Sequence, residues 1–170
     1  FGGTYVWTDG KLEKLDGKVS EGIQSLVYPY WHPSGDYVAF STNKTNQMFH
    51  MKDKNRIEVF DSASDVLVYD VKNHRVLTDS LLFSKGAFET FPSFSPDGKT
   101  LYFSTSMAQQ MPKDYKSVKY SLCSISFDAQ QGRFGNQVDT LYSAEKTGKT
   151  AAFPRISPDG RFLAFAQADY

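Results

Sequence analysis

Residue types that could act as nucleophiles occur in this sequence without the spacing that nucleophilic catalysis requires. The sequence contains no Gly-x-Ser-x-Gly segment, the strand-to-helix turn that exposes the catalytic serine of α/β-hydrolases. Ser-x-x-Lys occurs at Ser41 and Lys44 and again at Ser143 and Lys146. Neither pair lies on a predicted helix, as that chemistry needs. We therefore expect no catalytic residue in this chain, and a protein that is not itself an enzyme.

Metal ligation is not indicated either. The three histidines, His32, His50 and His74, are scattered, without the short spacings of a zinc site. The acidic segment 53–58 lacks the glycine of an EF-hand calcium loop. Cys123 is the only cysteine, and within an alternating strand it is expected to be a small core residue. The sequence thus predicts no metal site and no cofactor.

Charge and hydropathy exclude two further classes of partner. Nineteen basic and nineteen acidic residues give a net charge of zero, so there is no electrostatic footprint for nucleic acid or an anionic membrane. The longest apolar run is far shorter than a membrane span, so we expect no membrane insertion. Hydrophobic residues make up 40% and aromatic residues 15% of the chain, which favours an ordered β protein rich in aromatic side chains.

A stretch of about fifteen residues occurs three times and organises the chain. The copies begin at Tyr28, Phe91 and Phe153, and their leading prolines, Pro29, Pro92 and Pro154, lie 63 and then 62 positions apart. Each copy has the parts of a β-hairpin: an aromatic-rich arm, a turn and a second apolar arm. In the turn Ser95-Pro96-Asp97-Gly98, proline presets φ for the first corner and glycine takes the position that needs a positive φ.

The repeated hairpins predict the blades of a β-propeller. In the second arms Phe40, Phe103 and Phe165 align, and the arms are apolar on both faces, as expected of strands that are covered on both sides. Each of the first two hairpins is followed by a second pair of strand candidates, within 66–78 and 122–141. Four antiparallel strands in a repeated unit describe a propeller blade. A β-sandwich with coincidental turns would not align so many positions three times.

The pattern Phe-Pro-x-Phe-Ser-Pro-Asp-Gly-Lys-x-Leu-x-Phe-Ser at 91–104 resembles the WD-like repeats of TolB-type β-propellers. The first copy departs from it, with His32 for serine and Ser34 for aspartate. These propellers are mostly bacterial, often periplasmic and usually six-bladed, so the resemblance implies a periplasmic location. Similar repeats occur in the propellers of prolyl-oligopeptidase-type enzymes, which leaves open a gating propeller whose catalytic domain lies outside this chain.

The fold expected is all-β, a partial β-propeller with about three blades' worth of four-stranded antiparallel sheets. It comprises an outer hairpin at 1–16, full blades at 28–78 and 91–142, and an inner hairpin at 153–168. Propellers close with roughly four to eight blades, so we expect a fragment of a six-bladed propeller. Open half blades also allow self-association, in which two chains complete one ring.

The long connecting segments, 43–65, 79–90, 107–119 and 143–152, all fall on the rim opposite the tight turns. Loops on a rigid scaffold commonly carry binding residues, so we predict a protein- or peptide-binding scaffold module that uses this rim. A sugar- or metal-binding propeller is the weaker alternative. The predicted rim residues are Met48, Phe49, His50, Met51, Arg56, Met107, Gln110, Met111 and Tyr115, and Glu89, Thr90 and Thr150 are expected at the mouth of the channel.

Overall fold

A computed structural model describes residues 5–14, 25–43, 48–53, 56–60, 63–111 and 113–169. Over these ranges the chain forms fourteen strands and a one-turn helix, α1 (Ala144–Thr147). The strands are β1 (Tyr5–Thr8), β2 (Lys11–Lys14), β3 (Ser25–Trp31), β4 (Tyr37–Asn43), β5 (Met48–Asp53), β6 (Arg56–Phe60), β7 (Ser64–Asp70), β8 (Arg75–Leu77), β9 (Ala87–Phe94), β10 (Thr100–Met107), β11 (Ser121–Asp128), β12 (Arg133–Tyr142), β13 (Thr150–Ile156) and β14 (Leu163–Ala168).

The strands form two four-stranded antiparallel sheets and three hairpins. The first sheet has the order β3-β4-β7-β8 and the second the order β9-β10-β11-β12. The hairpins are β1-β2, β5-β6 and β13-β14. Strand β9 lies beside both β3 and β13, so the first strands of successive units are neighbours. This architecture confirms the predicted fold class, an all-β partial propeller built from four-stranded antiparallel sheets.

The core consists of layers between successive units. Side chains on one face of the first sheet, including Ala39 and Val68, pack against Phe94, Phe103 and Ile125 of the second sheet. The opposite face of the first sheet packs against the β1-β2 hairpin in a separate cluster. Burying a phenylalanine or leucine side chain contributes about 1.5–3 kcal/mol, so sheet-to-sheet packing accounts for much of the stability. The central strands of the first sheet, β4 and β7, are therefore apolar on both faces.

The repeat positions are equivalent in space as well as in sequence. Phe40 belongs to the cluster on the β1-β2 side of the first sheet, and Phe103 belongs to the cluster that faces the first sheet. Phe165 lies against Tyr142 of the second sheet, with ring centroids 5.2 Å apart. Each aligned phenylalanine thus faces the preceding unit, as a radial stack of repeated sheets requires.

Hydrogen bonds place the connections on two opposite rims. On what we call the turn rim, the tight turns within a sheet join one another, as in the bonds from Val71 N to Asp36 O and from Phe127 N to Lys99 O. On the loop rim, the longer segments join, as in the bond from Ala108 N to Gly86 O. The long connections therefore share one rim, as the alternation of strand direction predicts.

One expectation about the loop rim is wrong. The segment 43–65 is expected to be a long connecting loop, but it contains β5 and β6, which pair from Met48 opposite Phe60 to Asp53 opposite Arg56. The alternation of polar and apolar residues over 56–59 is typical of a strand. For β5 and β6 the structure describes the strand pairing only.

The tight turns of the second and third copies share one hydrogen-bonding scheme. Ser95 donates its hydroxyl hydrogen to Asp97, whose Oδ1 accepts from Lys99 N, while Ser95 Oγ accepts from Thr100 N. Ser157 and Asp159 repeat the arrangement. These bonds lower the pKa of Asp97, with the Ser95 hydroxyl as the main cause. The side-chain oxygens of the turn therefore find their hydrogen-bond partners within the turn itself.

The first copy replaces this scheme by a contact between sheets. His32 is 5% exposed, and its Nε2 lies 3.0 Å from the carbonyl oxygen of Gly98 in the next unit. Its Nδ1 accepts from Ser34 N at 3.1 Å, so Nε2 must carry the proton and donate to Gly98. Gly98 has a φ of +72°, and a Cβ there would lie 2.2 Å from His32 Nε2. Glycine is required at 98 for both reasons.

Candidate functional site

The first strand of each repeated unit is called here the inner strand; these are β3, β9 and β13. Each inner strand is interrupted by a bulge at the same position of the repeat. Val27 pairs with Ser41 and Tyr30 pairs with Ala39, so Tyr28 and Pro29 together lie opposite the single residue Phe40. Phe91-Pro92 and Phe153-Pro154 occupy the corresponding gaps in β9 and β13. Proline has no N–H with which to continue the ladder, and the extra residue locally bends the strand.

The aromatic residue at each bulge has a backbone conformation that side chains rarely adopt. Tyr28, Phe91 and Phe153 have φ values of 56°, 54° and 55°. For residues other than glycine this left-handed region costs roughly 1–2 kcal/mol per residue, and bulky residues are seldom found there. Such strain is often stored at functional sites, where the surrounding structure holds it in place. Its recurrence at one repeat position indicates a common structural purpose.

The three strained residues bring their rings together, and we call them the aromatic cluster. Phe91 lies in the middle, with its ring centroid 4.8 Å from that of Tyr28 and 4.0 Å from that of Phe153. Tyr28 and Phe153 are 6.1 Å apart. Tyr28 is 38% and Phe153 46% exposed, whereas Phe91 is half-buried. The cluster thus presents an apolar surface to solvent where three inner strands meet.

Hydroxyl groups on β4 and β10 hydrogen-bond to the inner strands that carry the cluster. Ser41 Oγ accepts from the backbone N–H of Phe91 at 3.0 Å and lies 3.1 Å from Thr90 Oγ1. Ser104, at the equivalent repeat position, donates to the carbonyl oxygen of Ala151 at 3.0 Å. Each bond joins one unit to the inner strand of the next. The position and backbone of the aromatic residues are therefore determined by adjacent sheets together.

The polar residues predicted at the channel mouth form hydrogen bonds within the protein. Glu89 is 3% exposed and accepts from the hydroxyl of Ser84. Thr90 is buried beside Ser41, and Thr150 Oγ1 accepts from Tyr120 N. At this level of the inner strands the exposed surface comes from the neighbouring aromatic residues. Sequence reasoning missed them, although an aromatic residue precedes the proline in all three copies.

The predicted rim residues fall into two groups. Met107 is 72% exposed and Gln110 is exposed, whereas Met111 and Tyr115 are half-buried. Met48, Phe49, His50 and Met51 lie on β5 and Arg56 on β6, but their side chains lie outside the described part of the structure. The described rim therefore offers Met107 and Gln110 as accessible contact residues.

The groups considered for catalysis have structural roles. The expectation that neither Ser-x-x-Lys pair lies on a helix is wrong for Ser143 and Lys146, because Ser143 is the N-cap of α1 and Lys146 lies within α1. Ser143 Oγ accepts from the backbone N–H of Lys146, which is a helix-capping bond. Cys123 is buried, and burial raises the pKa of its thiol, which keeps it protonated and unreactive. His74 Nδ1 lies 3.0 Å from Glu13 Oε1, linking the first sheet to the β1-β2 hairpin. Among the described residues no three potential ligands converge on a metal site.

An open cleft of about 800 Å³ lies on the turn rim, between the turn at Asp97 and the hairpin of β11 and β12. Its carboxylates already accept backbone hydrogen bonds. Asp97 Oδ1 accepts from Lys99 N, and Asp128 Oδ1 accepts from the backbone N–H groups of Gln130 and Gln131. These residues stabilise the turns, so the aromatic cluster is the stronger candidate site.

Within the described ranges, no helix combines the length and apolar character needed to cross a membrane. No family model and no curated protein sequence matches the chain. Among solved structures, the chain is similar to the crystal structure of TolB from Acinetobacter baumannii, with 15% sequence identity and a TM-score of 0.38. The alignment covers 93% of this chain and 41% of the TolB chain, so the chain spans less than half of that structure's length.

Proposed function

We propose that this chain is part of a β-propeller that binds another protein or a peptide without catalysing a reaction. The observation that carries the proposal is the aromatic cluster, in which three strained residues expose rings at the junction of the inner strands. Aromatic side chains are enriched among the residues that dominate binding energy at protein interfaces. We assign the protein to the bacterial envelope, in the periplasm, because the repeat resembles those of TolB-type propellers.

Rigidity supports a binding role. The cluster lies on the inner strands β3, β9 and β13. The backbone N–H of Phe91 donates to Ser41 of the preceding sheet, and Ser104 donates to the carbonyl oxygen of Ala151 on β13. Since the rings are already ordered, association has little side-chain and backbone entropy to remove. The exposed residues Met107 and Gln110 belong to the loop rim and extend the available contact area. The proposed interaction is therefore the presentation of a pre-formed surface.

The proposal can be tested by panning a displayed library of twelve-residue peptides on the purified chain. We expect enriched peptides that bind the chain and bind Phe91→Ala at least about tenfold more weakly, the loss of one hot-spot side chain. Phe162→Ala is the matched control, because Phe162 is 67% exposed but lies next to the turn at Asp159. Circular dichroism checks the fold of both variants. Enriched peptides that bind Phe91→Ala as tightly as the parent, or a library from which no peptide is enriched, would contradict the proposal.

A further inference from the structure

Charge on the loop rim is uneven, although the whole chain is neutral. The segments 107–119 and 143–150 contain five lysines and two acidic residues, namely Lys113, Lys116, Lys119, Lys146, Lys149, Asp114 and Glu145. The tight turns of the three units on the opposite rim are balanced, with Asp36, Asp97, Asp128 and Asp159 against Lys72, Lys99, Arg133 and Arg161. These two segments of the loop rim therefore carry an excess of positive charge that the tight turns of the opposite rim lack.

The lysine-bearing segments are joined to each other by hydrogen bonds. Lys119 Nζ donates to the carbonyl oxygen of Gly148 at 2.6 Å, which connects the β10-β11 segment to the end of α1. Lys149 forms an ion pair with Asp169, which offsets part of the local charge. Lys113, Lys116 and Lys146 are exposed. The two segments thus form one basic surface, which we call the lysine rim.

The lysine rim is continuous with the aromatic cluster. Tyr120 follows Lys119 directly, and its ring centroid lies 6.1 Å from that of Phe91. Its backbone N–H donates to Thr150 Oγ1, and its carbonyl oxygen accepts from Ala151 N. A segment that contacts Phe91 and runs outward over Tyr120 would therefore reach the half-buried Lys119 and then the segment that carries the exposed Lys113 and Lys116.

From this juxtaposition we propose that the binding partner is an acidic, extended peptide segment with an apolar residue that contacts the aromatic cluster. The inference rests on the proposed binding function and adds the chemistry of the partner. Carboxylates beside the apolar residue face the lysine rim, where exposed ammonium groups increase the association rate and disfavour basic segments. The apolar residue supplies the contact that removes the half-exposed rings from water. One end of the segment thus lies over the inner strands and the other over the rim.

The test uses the same peptide library and reads the composition of the peptides whose binding depends on Phe91. The inference predicts that these peptides carry net negative charge around an aromatic or aliphatic residue. Their affinity should fall about tenfold in the double variant Lys113→Glu/Lys116→Glu, since each reversal replaces an attraction by a repulsion. The matched double variant Lys72→Glu/Lys99→Glu, on the turn rim, should change affinity by less than about twofold.

The outcomes separate the two proposals. If the selected peptides depend on Phe91 but are neutral or basic, the acidic partner is overturned and the binding function stands. If no peptide depends on Phe91, the binding function itself fails. A single-stranded oligonucleotide that competes with the acidic peptide at equal concentration would show a general preference for polyanions and would overturn the peptide assignment. Raising the salt concentration from about 50 to about 500 mM should weaken the binding of acidic peptides and leave the binding of neutral peptides unchanged.

Discussion

Phe91 and Phe153 lie with their ring centroids 4.0 Å apart, although they belong to different units and are 62 positions apart in the chain. Both residues have a positive φ. A contact between aromatic rings adds about 0.5–1.5 kcal/mol beyond area burial, while the left-handed backbone costs about 1–2 kcal/mol at each residue. Ring packing and backbone strain are therefore of similar size. An exposed cluster built at this cost is better explained by binding than by stability.

The strain at Phe91 can be measured by comparing two truncations. Glycine adopts a positive φ without the penalty that alanine incurs, so Phe91→Gly should unfold with a free energy about 1 kcal/mol higher than that of Phe91→Ala. Tyr102 provides the control, since it pairs regularly with Ser124 in the second sheet. There the glycine variant should be the less stable one, by about 0.5–1 kcal/mol. Urea unfolding of the four variants gives the comparison, and the same order at both positions would rule out strain at Phe91.

Ser41→Ala should cost more stability than the same change at its repeat equivalent, Ser104. Ser41→Ala leaves the backbone N–H of Phe91 without its acceptor, and an unsatisfied buried donor costs about 1–3 kcal/mol. Ser104→Ala removes a donor to the Ala151 carbonyl oxygen, and a carbonyl oxygen tolerates this loss better than an N–H does. Ser80→Ala, at an exposed position, should lie within about 0.5 kcal/mol of the parent. Equal losses for Ser41 and Ser104 would contradict the ranking.

The sequence predicted the units and rims because they depend on local features that recur. A proline, a tight turn that contains glycine, and a second apolar arm specify a hairpin within fifteen positions, and three copies specify a stack. The contact between His32 and Gly98 could not be predicted in this way, because it joins residues 66 positions apart. The departure of His32 from the repeat was visible, but only packing shows that its ring lies between Tyr37 and Phe94.

The aromatic cluster was within reach of sequence reasoning. The proline in each first arm marks a bulge opposite Phe40, Phe103 or Phe165. An aromatic residue before proline in every copy was the available signal. The positive φ could not be inferred, because an aromatic residue in that conformation is an exception to steric preference. The predicted contributions of β5 and β6 side chains to binding stay predictions.

The glycines of the second and third turns offer a matched pair. Gly98 and Gly160 have φ values of 72° and 74°, but a Cβ at 98 would collide with His32, whereas nothing lies within 4 Å at 160. Gly160→Ala should therefore cost about 1 kcal/mol from the backbone alone. Gly98→Ala should cost at least about 1 kcal/mol more, because the hydrogen bond from His32 must also break.

Combining Gly98→Ala with His32→Ser separates the clash from other effects at the turn. Serine restores the residue found at the equivalent positions 95 and 157 and removes the ring that a Cβ would meet. We expect the added cost of Gly98→Ala over Gly160→Ala to disappear in the His32→Ser background, as measured by thermal or urea unfolding. If the excess cost persists there, the contact with His32 is not its cause.

Asp70 should make stability depend on acidity. Burial acts to raise the pKa of Asp70, but hydrogen bonds from Asn73 and Arg75 outweigh burial and hold this pKa below its usual value. Its contribution to stability is therefore complete above the unfolded pKa, about 3.9, and is lost as pH falls through the lower folded pKa. The parent should be more stable than Asp70→Asn by a constant amount between pH 5 and 7, with a difference that shrinks below about pH 4. A difference that stays unchanged down to pH 2.5 would contradict this role.

The relative contributions of the aromatic cluster and of Met107 on the loop rim to affinity show where the partner binds. Met107 is 72% exposed, so Met107→Ser should leave stability within about 0.5 kcal/mol of the parent and reduces only the apolar area of the loop rim. If the partner enters along the inner strands, Phe91→Ala should weaken binding about tenfold or more, and Met107→Ser about twofold or less. Met111, which is half-buried, should show a loss of stability and little separate effect on affinity. Fluorescence anisotropy with one selected peptide measures all three variants. A larger loss of affinity for Met107→Ser than for Phe91→Ala would place the partner on the loop rim, because Met107 belongs to that rim and Phe91 to an inner strand.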